Sequence, residues 1–437
     1  MTDKGVTEGA AEPATEPSLS AKKGDRVPKI PAIIIIALIA VAFSLAWFAS
    51  LHFLNTSFWT NDFVIANRWM IPVGVLFFSL LVGLCGKYLR APNVINGGFE
   101  VVLKGGSLDY KTFPGTLLTS FFSLLSGAAV GPEAPLTFLV VEVAEWIGDK
   151  IKVAKETRLG FIMAAIAAAF NGLFGNPLFT AVLVTEMQGA TGSVRFLAWN
   201  LVAGAIGYMC FSLIGFPAFA SSLPMTPVTV LTLTYAILAI GLGAIGSLVA
   251  IFIGISLKSV GTIMDKVFKD RFMARIMAAG AIIAVIVYFV PEVMFSGESE
   301  IHTIAANPAA YGVLVLLGFA ILKILLLALS SKAGYLGGPI FPTMFAAITV
   351  ALALNLLFPS VPVGLLVTCI VVAAITLALG APFAAILLTI TFVTSTTQEL
   401  GYIALAAATA LIIGAAFKER ISQRSAPQGD FAVNGTT

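Results

Sequence analysis

Between residues 33 and 54 the chain contains no Asp, Glu, Lys or Arg, and no other feature restricts its fold so tightly. A helix needs about 20 apolar residues to cross about 30 Å of hydrocarbon, so this run suits a bilayer better than a soluble core. Residues 70–85 and 231–255 meet or approach the same length. Over 437 residues, 59% are hydrophobic and 11% charged, against roughly 25% charged in a soluble domain. In lipid every backbone N–H and C=O needs a partner within the protein, which leaves helices and closed barrels. Runs of this length predict an all-α integral membrane protein.

Other apolar segments are too short for simple spans. Residues 116–126, 136–147, 178–187 and 341–356 are interrupted or bounded by Gly and Pro. Irregular backbone at membrane depth is tolerated where protein or a water-filled cavity satisfies it, so these breaks point to a pathway rather than a lipid face. The breaks also recur. GPEAPLTF (131–138) and GPIFPTMF (338–345) share the pattern GPxxPxxF, with 207 residues between positions 131 and 338. NPLFTAVLVT (176–185) and APFAAILLTI (381–390) pair Pro177 with Pro382, 205 residues apart. Two elements in the same order at nearly the same offset predict two homologous halves, with the paired Gly/Pro breaks at the binding site.

The first break holds an acid. Gly131 and Pro132 ahead of an apolar run mark a helix start with Glu133 in its first turn. Unpaired N–H groups and about half a positive charge make such a terminus an anion seat. Glu133 either stabilises the first turn only, or occupies the seat as gate and proton carrier, leaving when protonated or displaced by a permeant anion. The second break, KILLLALSSKAGYLGGPIFP (323–342), ends a helix at Ser330 and Ser331, passes Gly334, Gly337 and Gly338, and starts another near Phe341. It is either a second seat, with the N–H groups of Ile340 and Phe341 as uncharged donors suited to weak binding, or a turn between helices. Lys323 is expected to snorkel or to pair with a carboxylate.

Charge placement sets the expected topology. The formal net charge of +3 is too small to suggest a nucleic-acid partner. KKGDRVPK (22–29) abuts the first span and KERISQR (418–424) follows the last, so both termini are expected in the cytoplasm of a multi-pass plasma-membrane protein. Residues 1–28 read as a disordered polar tail rather than a cleavable signal. Residues 29–263 and 264–417 read as the two membrane halves, joined through MDKVFKDRFMAR (264–275), with a loose tail over 418–437. Glu142 and Glu145, at i and i+3, are expected to solvate a helix end. Cys85, Cys210 and Cys369 have no paired spacing, and His52 and His302 have no partner ligands and read as surface or capping residues. No metal or other cofactor is expected.

Together these motifs resemble the ClC family of chloride channels and chloride/proton antiporters, over roughly residues 30–417. The family's gating signature (Gly, a basic residue, Glu, Gly, Pro) is met in altered form by Gly131, Pro132, Glu133, Ala134 and Pro135. Its later lysine helix and Gly-Gly-x-Phe-x-Pro turn resemble 323–342, while FSGE (295–298) and GNPLFTAVL (175–183) match further elements. The resemblance implies two inverted-topology halves with many tilted and broken helices. It also implies transport of chloride or a similar small anion, passive or coupled to protons, through each subunit of a homodimer. Glu133 would gate, and Gly131, Pro132, Ala134, Gly338, Ile340 and Phe341 would contact the anion.

The sequence also departs from the family. The serine that coordinates the central anion should fall near APNVINGGF (91–99), which has none; Asn93 or Asn96 through a side-chain amide, or Gly97 or Gly98 through backbone, are the candidates to replace it. Tyr402 lies too early to match the family's central tyrosine. Glu186 stands near the internal glutamate of proton-coupled members and either completes a proton route with Glu133 or is a solvated helix end. The missing serine and tyrosine predict a loose inner gate and weak proton coupling. The alternative within the same broad class is a secondary transporter of another solute with an inverted-repeat fold. An intramembrane enzyme is disfavoured, because the sequence has no HExxH, GxSxG or Cys/His set. A membrane scaffold would not need two matched breaks.

Overall fold

The computed structural model describes residues 28–89, 108–188, 194–215, 223, 225–393 and 395–425. Asn93, Asn96, Gly97, Gly98 and almost all of the 1–28 tail lie outside them. The helices are α1 (Ile30–Trp59), α2 (Asp62–Ala66), α3 (Met70–Tyr88), α4 (Phe113–Leu125), α5 (Glu133–Lys150), α6 (Lys155–Phe174), α7 (Phe179–Gln188) and α8 (Val194–Ile214). They continue with α9 (Leu233–Phe268), α10 (Phe272–Phe289), α11 (Glu298–Ala306), α12 (Gly312–Ala333), α13 (Ile340–Leu357), α14 (Val363–Leu379), α15 (Pro382–Phe392) and α16 (Thr397–Ser425). Nine of the described helices are long and apolar enough to cross a membrane. α4, α7 and α15 are only 13, 10 and 11 residues long.

The packing repeats itself. α1, α6 and α8 pack mutually in the first half, as α9, α14 and α16 do in the second. The chains α4 to α5 to α6 and α12 to α13 to α14 make equivalent contacts. Elements on the dividing axis meet their own counterparts: α3 packs on α10, and α7 on α15. Gly131 pairs with Gly338 in an antiparallel bridge. Self-pairing of equivalent elements in opposite directions is the mark of inverted halves about a pseudo-twofold axis. α6 and α14 form the two inner cores. α14 is buried continuously from Gly364 to Thr376, and a helix apolar on every side belongs in an interior. Small residues bring the backbones together: a Cβ on Gly207 of α8 would strike the Ala168 carbonyl, and one on Gly246 of α9 the Ile370 carbonyl.

Two boundaries differ from the sequence reading. The 264–275 joint contains the end of α9, a short turn and the start of α10. We propose instead that the halves divide between α8 and α9, since a division at 263/264 would cut a continuous helix of 36 residues. The charged residues there mark where α9 leaves the apolar layer, because Lys and Asp continue a helix in water. Likewise 418–425 is helical rather than loose. Lys, Glu and Arg are good helix formers, so the helix continues through this polar stretch to Ser425, the last described residue.

The break between α6 and α7 is held by one side chain. Asn171 Nδ2 donates to the Pro177 carbonyl at 2.7 Å, while Oδ1 accepts from the Thr180 amide at 3.0 Å and its hydroxyl at 2.7 Å. Asn171 is fully buried, so neither water nor lipid replaces it. Asn171→Ala should lower stability by about 1–3 kcal/mol for each buried group left unpaired. The check is the thermal unfolding midpoint in detergent, and an unchanged midpoint would show that the break is held by packing alone.

Candidate functional site

Two chain reversals build the site. α4 closes at Ser126 and α12 at Gly334, whose φ of 112° only glycine adopts readily. Each strand of chain then returns to the centre, where the Gly131 amide donates to the Gly338 carbonyl and the Gly338 amide to the Gly131 carbonyl, both at 2.8 Å. Pro132 and Pro339 follow directly and cap α5 and α13. The two helix N-termini therefore open at one point from opposite halves. Each presents amides with no partner inside its own helix and the positive end of its dipole.

Glu133 fills the space between them. It is the first residue of α5 and only 3% exposed. Its Oε1 accepts from the Ile340 amide, the first of α13, at 2.7 Å. Its Oε2 is buried without a hydrogen-bond partner. The carboxyl group lies against both turn glycines, since a Cβ on Gly131 or on Gly338 would overlap it. One half thus supplies a carboxylate to the helix terminus of the other, and Ile340, the residue matching Glu133 in the second GPxxP, supplies only backbone.

The walls are aromatic. Phe341 stacks on Phe174 with centroids 5.9 Å apart and meets Phe392 edge-on at 5.8 Å, and Phe174 contacts Phe179 at 4.8 Å. Away from water the effective dielectric is low, which strengthens any charge interaction at the two helix ends. Gly131, Pro132, Glu133, Gly338, Ile340 and Phe341 all meet at this point, while Ala134 in the first turn of α5 is partly exposed. Phe174 and Phe392 were not singled out from sequence, and no local signal marks two phenylalanines at the ends of separate helices.

Glu186 is elsewhere. Its Oε1 and Oε2 accept from the Phe383 and Ala384 amides, both at 2.8 Å, capping α15. Phe383 lies about 13 Å from Phe392 by helical rise, so Glu186 sits at the far end of α15 from the seat. The same antiparallel pairing brings Asn176, ahead of α7, to the Thr391 hydroxyl at 2.9 Å.

Several charged groups differ from their expected roles. Lys323 neither snorkels nor makes a salt bridge. It is fully buried, and Nζ donates to the carbonyls of Val293, Met294 and Phe295 at 3.1, 2.8 and 2.8 Å while lying 4.5 Å from the Phe345 ring centroid. A cluster of free carbonyls ending a turn thus replaces the carboxylate. Glu142 and Glu145 are buried rather than solvated. Glu142 Oε1 accepts from the Thr112 and Thr116 hydroxyls at 2.6 and 2.8 Å, and Glu145 pairs with Arg158 at 2.5 Å. The i, i+3 spacing gave their common face correctly, but α4 and α6 cover that face. His302 lines an interior cavity. Tyr402 is committed to the linker between the halves, where its hydroxyl accepts from the Thr232 amide at 2.7 Å and donates to the Val230 carbonyl at 3.1 Å.

Similarity to known proteins agrees with this geometry. A family model described as "Voltage gated chloride channel" matches residues 100–415. A curated protein of Escherichia coli O139:H28 (strain E24377A / ETEC), "Putative ion-transport protein YfeO", is 26% identical over 311 residues, 69% of this chain and 71% of its own. Its counterpart in Escherichia fergusonii is 25% identical over the same shares. Among solved structures, a slow cyanobacterial Cl−/H+ antiporter superposes with a TM-score of 0.74 at 20% identity, covering 91% of this chain and 98% of that one. A CLC-type fluoride/proton antiporter gives 0.72 at 20% identity, with coverages of 88% and 94%. Fold and site together define an inverted-repeat membrane protein whose two half-helix N-termini converge on a buried carboxylate. The chain belongs to the voltage gated chloride channel family.

The seat requires glycine on both sides of Glu133. Gly338→Ala should expel the carboxyl group and break its bond with the Ile340 amide, while Pro339 still starts α13. A structure of the variant checks this; a carboxylate still bonded to Ile340 would show that the seat has more room than the glycines allow.

Proposed function

We propose that the protein transports a small inorganic anion, chloride or one like it, through the point where α5 and α13 meet, and that Glu133 is the gate. The observation that carries this reading is the Glu133 carboxylate accepting from the first amide of α13. A carboxylate in a helix-terminal anion seat is a tethered substitute for a free anion. An anion reaching the seat must displace it, and protonation favours its departure by removing the charge that the helix ends hold. Binding by backbone amides without a fixed cation keeps affinity low enough for release. Similarity in fold to a fluoride/proton and a Cl−/H+ antiporter supports this substrate class.

The sign of the pH effect follows. At high pH the ionised carboxylate holds the seat and flux falls; at low pH it leaves and flux rises. A single titrating carboxylate changes the open fraction by at most about tenfold per pH unit. Glu133→Gln should flatten that slope while flux stays anion-selective in proteoliposomes. Full activity with unchanged pH dependence would reduce Glu133 to a helix cap.

Coupling to protons is weak in this reading. Both Glu186 oxygens already accept from α15 amides, so carrying a proton would mean giving up one of those bonds. Its role is then to fix α15 against α7. A cytoplasmic location of the chain ends is supported by the charge bias of the basic turn around Lys266, Lys269, Arg271 and Arg275, with Lys29 and Lys418 beside those ends. The homodimer implied by the family resemblance is retained as part of the proposal. An outward anion gradient in voltage-clamped liposomes should drive little proton uptake. Robust uphill uptake that Glu186→Gln abolishes would overturn weak coupling and restore Glu186 as the internal proton carrier.

A further inference from the structure

The short helix α11 separates two spaces. On one side Glu300 and Thr303 join Trp59, Arg68 and Glu292 around a cleft of about 580 Å³. This cleft lies beyond the end of α10 opposite its basic start, hence outside the cell in the orientation above. On the other side Glu298 and His302 line a cavity of about 20 Å³ with Phe341, Phe345 and Phe392. Space of roughly 10–15 Å³ is enough for a water that finds polar partners, so the cavity has room for one beside Glu298 and His302. Phe341 belongs to the first turn of the helix that binds Glu133, and the charges of Glu298 and Glu133 act on each other. Glu133 also keeps one buried oxygen without a partner.

We propose that Glu298 passes protons between the outer cleft and Glu133 through water held in this cavity. The inference rests on Glu133 being the gate. In the step itself the water accepts a proton from the Glu298 carboxyl and gives another of its hydrogens to Glu133 Oε2. The Glu298 carboxylate left behind is reprotonated from the cleft, and the reverse sequence empties Glu133. Charge and atoms balance with no other reactant.

The surroundings suit such a role. The titratable groups near Glu298 are Glu300 and His302 on its own helix, Glu133 from α5 and Lys323 from α12. α13, α15 and Leu223 bring only apolar side chains to the cavity. Burial, then the carboxylates of Glu300 and Glu133, push the Glu298 carboxyl well above the usual range, so it takes up protons at milder acidity than an exposed glutamate. Lys323 fixes its position. By holding the carbonyls of Val293, Met294 and Phe295, it pins the turn that leads through Gly297, which packs against the Lys323 ammonium and Phe345, into α11.

The test is the speed with which anion efflux from proteoliposomes responds to an acid step in stopped flow. In Glu298→Gln the response should slow by at least about a hundredfold, the lower end of the range by which a positioned proton donor accelerates transfer. Glu298→Asp, which keeps a carboxyl one methylene short, should be intermediate. A Glu298→Gln response as fast as the unaltered protein, or a shift in pH midpoint at unchanged speed, would overturn the relay and leave Glu298 an electrostatic neighbour. Equal slowing by Gln and Asp would also overturn it, since packing would then be the cause. Glu133→Gln separates the two proposals: if that variant still responds to acid, the gate itself has been misassigned.

Discussion

Two helix N-termini from opposite halves face each other in a low-dielectric interior, and the rest of the fold exists to make that arrangement tolerable. Left alone, two positive dipole ends would repel and their free amides would have no water to satisfy them. Three local devices answer this. The Gly131–Gly338 bridge satisfies one amide and one carbonyl of each turn, the prolines that follow contribute no N–H at all, and the Glu133 carboxylate supplies a negative charge between the helices. The last device is removable, because the carboxylate is held by amides and by lack of alternatives, not by a cation.

Broken helices follow from the same constraint. A helix terminus can be delivered to the middle of a bilayer only if the chain stops there, so α4, α7 and α15 are short and their ends are tied by side chains rather than by water. Asn171, Asn176 and Glu186 perform this task at α7 and α15. A carboxylate at a helix end in this protein is therefore a recurrent structural solution. Glu186 likewise caps a helix of the other half; what distinguishes Glu133 is that one of its oxygens remains unsatisfied, whereas both Glu186 oxygens are engaged.

Much of this was legible from the sequence because it depends on local chemistry. Apolar runs gave most spans to within about five residues, since hydrocarbon thickness sets helix length, whereas α9 runs on to Phe268, well past its apolar run. The repeated GPxxPxxF located both turns, since Gly and Pro at a helix start are backbone requirements. What could not be read were contacts between segments far apart in the chain. Lys323 finding three carbonyls some 30 residues earlier, Glu142 covered by α4, and Phe392 meeting Phe341 all depend on how the halves dock. The proposed shift of the division between the halves has a related cause: a run of charges signals departure from the bilayer, and a helix such as α9 continues past it.

The placement of acids on one side of the seat bears on how a gate can respond to protons without exchanging them. Stoichiometric exchange requires that Glu133 gain its proton from one face of the membrane and lose it to the other. Here Glu298 and the cleft beyond α11 offer access from a single direction, while the acid at the far end of α15 is held by two amides. A proton that enters and leaves by the same route does no work on the anion; it only sets the fraction of time the seat is free. If Glu133 gates and Glu298 relays as proposed, acidity on the side of that cleft becomes the control variable, and anions run down their own gradient once the carboxylate has left.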